Sequence, residues 1–114
     1  MQLSEFEKRV LTALIEGDPE RGTLEAQLRV ATVANRDYTG VGLYTKLLVE
    51  ESCPRLATSG RYIEETPKTH LTHPSLAVGA GAILWLSDGK IDTLECYTWD
   101  GQWPEDETRF TVSK

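Results

Sequence analysis

Two histidines, His70 and His73, stand three residues apart in the run Thr66-Pro67-Lys68-Thr69-His70-Leu71-Thr72-His73-Pro74. An imidazole titrates near neutrality, so it can serve as general base, proton carrier or metal ligand. A zinc site needs three or four ligands, and an i, i+3 pair contributes two only on a helix or with outside ligands. A proline-flanked loop offers neither. The pair therefore reads as surface histidines or as part of a binding or catalytic pocket, and no metal is expected. Cys53 and Cys96 could act as nucleophiles only beside a histidine and an orienting group. Cys96 lies between Glu95 and Tyr97. Carboxylates nearby disfavour a thiolate, so it reads as a small buried hydrophobe.

Two glycine pairs stand out, Gly40-Val41-Gly42 and Gly79-Ala80-Gly81. Neither precedes a helix or the lysine and hydroxyl of a phosphate loop, so no nucleotide is expected. Their expected role is steric: a bulge, a bend or a close backbone approach. Gly79 and Gly81 on one side of a strand would leave room for the ring of Trp99 or Trp103.

The most distinctive stretch runs from residue 94 to 107. It holds three aromatic rings and five carboxylates in 14 residues. In one reading, Trp99 and Trp103 cap the open end of the core and the acids are solvated. In the other, Tyr97, Trp99, Asp100, Trp103 and Glu105 form a binding surface. Trp and Tyr suit interface anchors, and negative charge steers a basic partner. A second polar cluster, Arg36-Asp37-Tyr38, precedes the first strong strand. Arg36 buried against Glu95 would make a structural ion pair or a pocket floor.

These side chains need elements to position them. Leu3, Phe6, Val10, Leu11 and Leu14 recur at helical spacing. Ser4 and Glu7 can close a capping box, and Gly17 offers a left-handed C-cap. Asp18-Pro19 restarts the chain, and a second helix is expected over 19–29. Residues 31–34 read weakly as strand and 36–40 as a turn. Alternation from Val41 to Val49 predicts a strand with one apolar face. Residues 52–76 are the least legible; Tyr62 and Ile63 suggest a short strand, and 66–74 a loop. Ala82-Ile83-Leu84-Trp85-Leu86 and residues 91–98 predict a hairpin turning at Asp88-Gly89. A two-residue turn and a bulged three-residue turn are both compatible, and the register decides which face Trp85 takes. Residues 108–112 suggest a last edge strand. Helices first and strands later predict an α+β fold. The expected form is one domain over 1–114, with two N-terminal helices on one face of a four- or five-stranded, mainly antiparallel sheet.

The 114 residues carry 12 basic and 18 acidic side chains, a net charge of −6. No dense basic run exists to neutralise phosphates, so nucleic acid and anionic membrane surfaces are poor partners. Apolar residues make up 39% and charged residues 26%, the composition of a folded chain. No apolar run approaches the ~20 residues of a membrane span. The start Met1-Gln2-Leu3-Ser4-Glu5-Phe6-Glu7 lacks the basic and apolar regions of a secretory signal. A cytoplasmic protein with two reduced thiols is expected.

Three runs together resemble a family of small uncharacterised bacterial proteins. They are Thr39-Gly40-Val41-Gly42-Leu43-Tyr44-Thr45, Gly79-Ala80-Gly81-Ala82-Ile83-Leu84-Trp85, and Asp88 through Pro104 with its Leu94-Glu95-Cys96-Tyr97-Thr98-Trp99 and Trp103-Pro104. The likeness covers about residues 25–104. Members usually carry phenylalanine where this chain has Leu43, Tyr44, Ile83 and Trp85, and often glycine at Cys96. The resemblance implies a shared fold unit and no reaction.

Two functions follow as expectations. The first is a small acidic protein-binding module, inhibitor- or immunity-like, using the aromatic–acidic surface near the C-terminus. The second is a small enzyme or ligand-binding domain with a pocket at Arg36, His70, His73 and Glu95. A homodimer through an edge strand is a further possibility. No cofactor is expected.

Overall fold

A computed structural model describes residues 1–57, 61–64 and 70–113. Helix α1 (Glu5–Ile15) begins with the expected capping box. The Glu7 amide donates to Ser4 Oγ at 3.1 Å, and the Ser4 amide donates to Glu7 Oε1 at 2.8 Å. The helix does not end in a left-handed glycine, because Gly17 is not among the residues of positive φ. Instead the Asp18 amide closes a turn onto the Ile15 carbonyl at 3.1 Å. Helix α2 (Arg21–Val30) starts two residues later than residue 19. Pro19 lies in the turn, where the Asp18 side chain accepts from the Glu20 amide at 2.9 Å.

Seven strands follow: β1 (Thr32–Tyr38), β2 (Gly42–Leu48), β3 (Tyr62–Glu64), β4 (His70–His73), β5 (Leu76–Ser87), β6 (Lys90–Thr98) and β7 (Thr111–Ser113). The α+β expectation of two helices on a sheet stands, but seven strands replace the expected four or five. The order is β1-β2-β6-β5-β4-β7, with β3 also pairing β5, and every pairing is antiparallel. The extra strands are short. The 12-residue β5 is long enough to take β4 and β3 at different stretches, and β7 adds to β4. Residues 70–73, expected as loop, form β4; the rest of that loop, 65–69, lies outside the described residues. Residues 36–38, expected as a turn, complete β1.

Of the two hairpin alternatives, the two-residue turn forms. Asp88 (φ 54°) and Gly89 (φ 75°) form a two-residue turn between Ser87 and Lys90. A bulge then shifts the register: Leu86 faces Ile91, while Trp85 faces Thr93. Leu84 and Leu86 are buried, and Trp85 points to the opposite face at 40% exposure. The turn is held from the helical layer by the fully buried Gln27. Its amide donates to the carbonyls of Pro54 (2.8 Å) and Gly89 (2.9 Å), and its oxygen accepts from the Ile91 amide (2.9 Å).

One core lies between the helices and one sheet face. Phe6, Val10, Leu11, Leu14 and Leu24 meet Leu43, Leu47, Leu71, Ala82, Leu84, Leu94 and Cys96, all buried. Each large side chain there contributes roughly 1.5–3 kcal/mol by leaving water. Among the described residues no helix covers the other sheet face. No described helix is long and apolar enough to cross a membrane.

Candidate functional site

The sheet face away from the helices follows from strand alternation. Tyr44 of β2 lies opposite Glu95 of β6, which lies opposite Ile83 of β5. One step along, Lys46 faces Thr93, Thr93 faces Trp85, and Trp85 faces Tyr62 of β3. In the other direction Tyr97 stands between Gly42 and Gly81. Tyr44, Leu48, Tyr62, Trp85 and Trp99 are all exposed. Isolated exposed hydrophobes are ordinary, but a contiguous group on one face marks an interaction site.

Glu95 organises the centre of this face. Trp85 Nε1 donates to its Oε1 at 3.0 Å, and the Tyr44 hydroxyl donates to its Oε2 at 3.2 Å. The Glu95 charge, and then its hydrogen bond, push the Tyr44 phenol pKa up. The Tyr62 ring packs on Trp85 with centroids 5.2 Å apart, and Tyr97 meets Trp99 edge-to-face at 5.0 Å. Beside them Lys46 pairs with Asp92. Burial pushes the Asp92 pKa up, but bonds from Lys46 and Thr93 outweigh it and hold it below the usual value.

The 94–107 segment divides between two environments. Tyr97 and Trp99 belong to the open face, Trp99 at 52% exposure, with Asp100 exposed next to them. Gly101 (φ 93°) then turns the chain, and the Trp103 amide reaches the Gly40 carbonyl at 2.8 Å. Trp103 is only 8% exposed and packs on Phe6 (5.9 Å) and Phe110 (5.0 Å). Its Nε1 donates to Glu107 at 2.8 Å. Trp103 thus caps the core, Trp99 does not, and Glu105 is exposed beyond the turn.

The expected space over Gly79 is taken by His70, not by Trp99 or Trp103. A Cβ on Gly79 would lie 2.9 Å from His70 Nε2 and 2.5 Å from the Leu71 carbonyl oxygen. Arg36 does not pair with Glu95. Its guanidinium grips Glu7, Nε to Oε2 at 2.8 Å and Nη2 to Oε1 at 2.7 Å. The Thr45 hydroxyl donates to Oε2 at 2.8 Å, so with the Ser4 amide four donors surround one buried carboxylate. Burial pushes the Glu7 pKa up, but these bonds outweigh it and hold it below the usual range.

His73 serves a different place again. Its Nδ1 accepts from the Ser75 amide at 3.0 Å, so Nε2 carries the hydrogen and donates to the Asp106 carbonyl at 2.9 Å. It borders a cleft of about 530 Å³ with Ser75, Gln102, Trp103 and Arg109. Arg36, His70, His73 and Glu95 therefore have separate partners and share no described contact. Cys96 is buried, and neither cysteine is bridged. No cluster suited to a metal ion occurs among the described residues.

The residues that sequence reasoning missed are Tyr44, Tyr62 and Trp85. Alternation already placed Tyr44 opposite the apolar side of β2. The side taken by Trp85 depended on the bulge. Comparisons with protein-family models, curated proteins and solved structures find no match to this chain.

Proposed function

We propose that the chain is a protein-binding module, inhibitor- or immunity-like, whose open sheet face receives the basic surface of another protein. One observation carries this reading: the exposed rings Tyr44, Tyr62, Trp85 and Trp99 share the sheet face on which Tyr44 and Trp85 fix the carboxylate of Glu95. Asp37 and Glu64 add negative charge on the same face, in line with the net −6. Rings supply contact area at small entropic cost, and the charge selects and steers a basic partner. Membership of the resembled bacterial family and a cytoplasmic setting belong to the same proposal.

The test is affinity capture from a bacterial lysate with wild type and a folded Trp85→Ala/Trp99→Ala variant. A protein held by wild type, released by raised salt and lost by the variant supports the reading. Equal capture by both baits overturns it, as does light scattering that finds the face consumed by a homodimer.

The cleft beside His73 favours a second reading, a small-ligand site. The Ser75 hydroxyl, 2.9 Å from Nδ1, shares that lone pair with the Ser75 amide, so the geometry suits ligand binding better than a Ser75 nucleophile. A metabolite screen by thermal shift tests it. A ligand that stabilises wild type and not Arg109→Ala supports it; a screen without one removes it.

A further inference from the structure

We infer that Glu95 is the seat for a guanidinium group, an arginine side chain presented by the partner. This inference rests on the protein-binding reading above. Several carboxylates come with their own cations: Glu7 with Arg36, Asp18 with Arg61, Asp92 with Lys46, Glu51 with Arg55 and Lys90. Glu95, like Glu107 beside Trp103, is held by neutral donors instead, but it stands on the sheet face away from the helices. It lies on β6, a middle strand of the sheet, half-buried, with donors that are both neutral. Among the described residues no lysine or arginine pairs with it.

The two donors leave the carboxylate incomplete. A carboxylate offers about four acceptor positions, and Trp85 and Tyr44 occupy one on each oxygen. One position per oxygen remains, the arrangement that a guanidinium fork fills with two parallel bonds. The donors also fix the carboxylate in place, so the cation meets a preorganised acceptor. A planar cation seated on Glu95 would lie beside the Trp85 and Tyr44 rings that donate to it, and such aromatic neighbours favour Arg over Lys.

The probe is a capped tetra-arginine peptide, followed through the Trp85 indole N–H resonance. Capped tetra-citrulline, its neutral counterpart, and capped tetra-lysine are run beside it. Glu95→Gln keeps the shape and can still accept from Trp85, while its amide N–H donates to the Tyr44 hydroxyl oxygen, and it removes the charge. Asp37→Asn removes an equal charge opposite Tyr44 on the same face. The expected result is a saturable shift with tetra-arginine, weakened about tenfold by Glu95→Gln and little changed by Asp37→Asn. Citrulline should give no shift, and lysine a weaker one. Equal loss in both variants means diffuse attraction and overturns the seat. So does equal binding of lysine or citrulline, or no shift with tetra-arginine. The capture experiment with the Trp85/Trp99 variant decides the protein-binding face separately. A partner lost there but retained by Glu95→Gln refutes the seat and leaves the face standing.

Discussion

Glu7 and Arg36, 29 residues apart, meet in a two-point ion pair that joins the first turn of α1 to the edge strand β1. The Glu7 side chain is 1% exposed and the Arg36 side chain 22%. Removing one partner of such a pair strands the other charge. Arg36→Ala should cost about 3 kcal/mol, and Glu7→Gln somewhat less because the amide keeps part of the hydrogen bonding. Urea unfolding measures both. A loss below about 0.5 kcal/mol, the scale of a weak surface pair, would reject the structural role assigned here.

Glu107 should oppose Glu7 in the pH profile. Burial pushes the Glu107 pKa up, and its bond from Trp103 only partly offsets this. Its stabilising proton is fully bound below the ordinary glutamate value of 4.5 and is lost as pH rises through the raised folded value. Glu7 has a lowered value, so its contribution is present above 4.5 and is lost as pH falls through the folded value. Glu107→Gln should therefore be more stable than wild type at pH 7, with the gap closing towards pH 4. Denaturant melts across that range check the sign.

Glycine positions should separate sharply. Gly79 has φ 88° and a backbone oxygen 2.5 Å from where a Cβ would stand. Gly79→Ala should lose more than about 2 kcal/mol or fail to fold. Gly17 has no atom within 4 Å of that position and no positive φ. Gly17→Ala should be neutral or gain about 0.5 kcal/mol. Parallel thermal melts compare the two.

The two late tryptophans should behave as different kinds of residue. Trp103→Ala removes a buried ring from Phe6 and Phe110 and should cost about 3–5 kcal/mol. Trp99→Ala should cost under about 1 kcal/mol, its effect appearing in binding instead. Chemical denaturation beside the capture assay separates the two effects.

Local chemistry explains what could be read from the residues. Ser4 and Glu7 lie within one turn, Asp88-Gly89 within one hairpin, and Leu43, Thr45 and Leu47 within one alternating run. Each carries its own signal. β4 and β7 do not. His70–His73 is a strand because β5 and β7 flank it, and no four-residue pattern shows its neighbours. The partner of Arg36 failed for the same reason: Glu7 already had a complete local role as a helix cap. The candidate face was half legible. Tyr97, Trp99 and Glu95 were singled out, but Trp103 went with them because a glycine turn at Gly101 separates rings only four positions apart. Trp85 waited on a bulge that sequence alternation does not announce.

The grip of Gln27 on the β5–β6 turn has a consequence for how the molecule opens. The Ile91 amide is held by a side chain of α2, across 64 positions of sequence. Its exchange with solvent deuterium therefore reports the departure of a helix rather than the fraying of a hairpin. Under native conditions Ile91 should exchange in step with the α2 amides. Leu94, deeper in the same strand, should persist until the sheet itself comes apart. A single proton at the tip of the hairpin thus records whether the two layers are still joined.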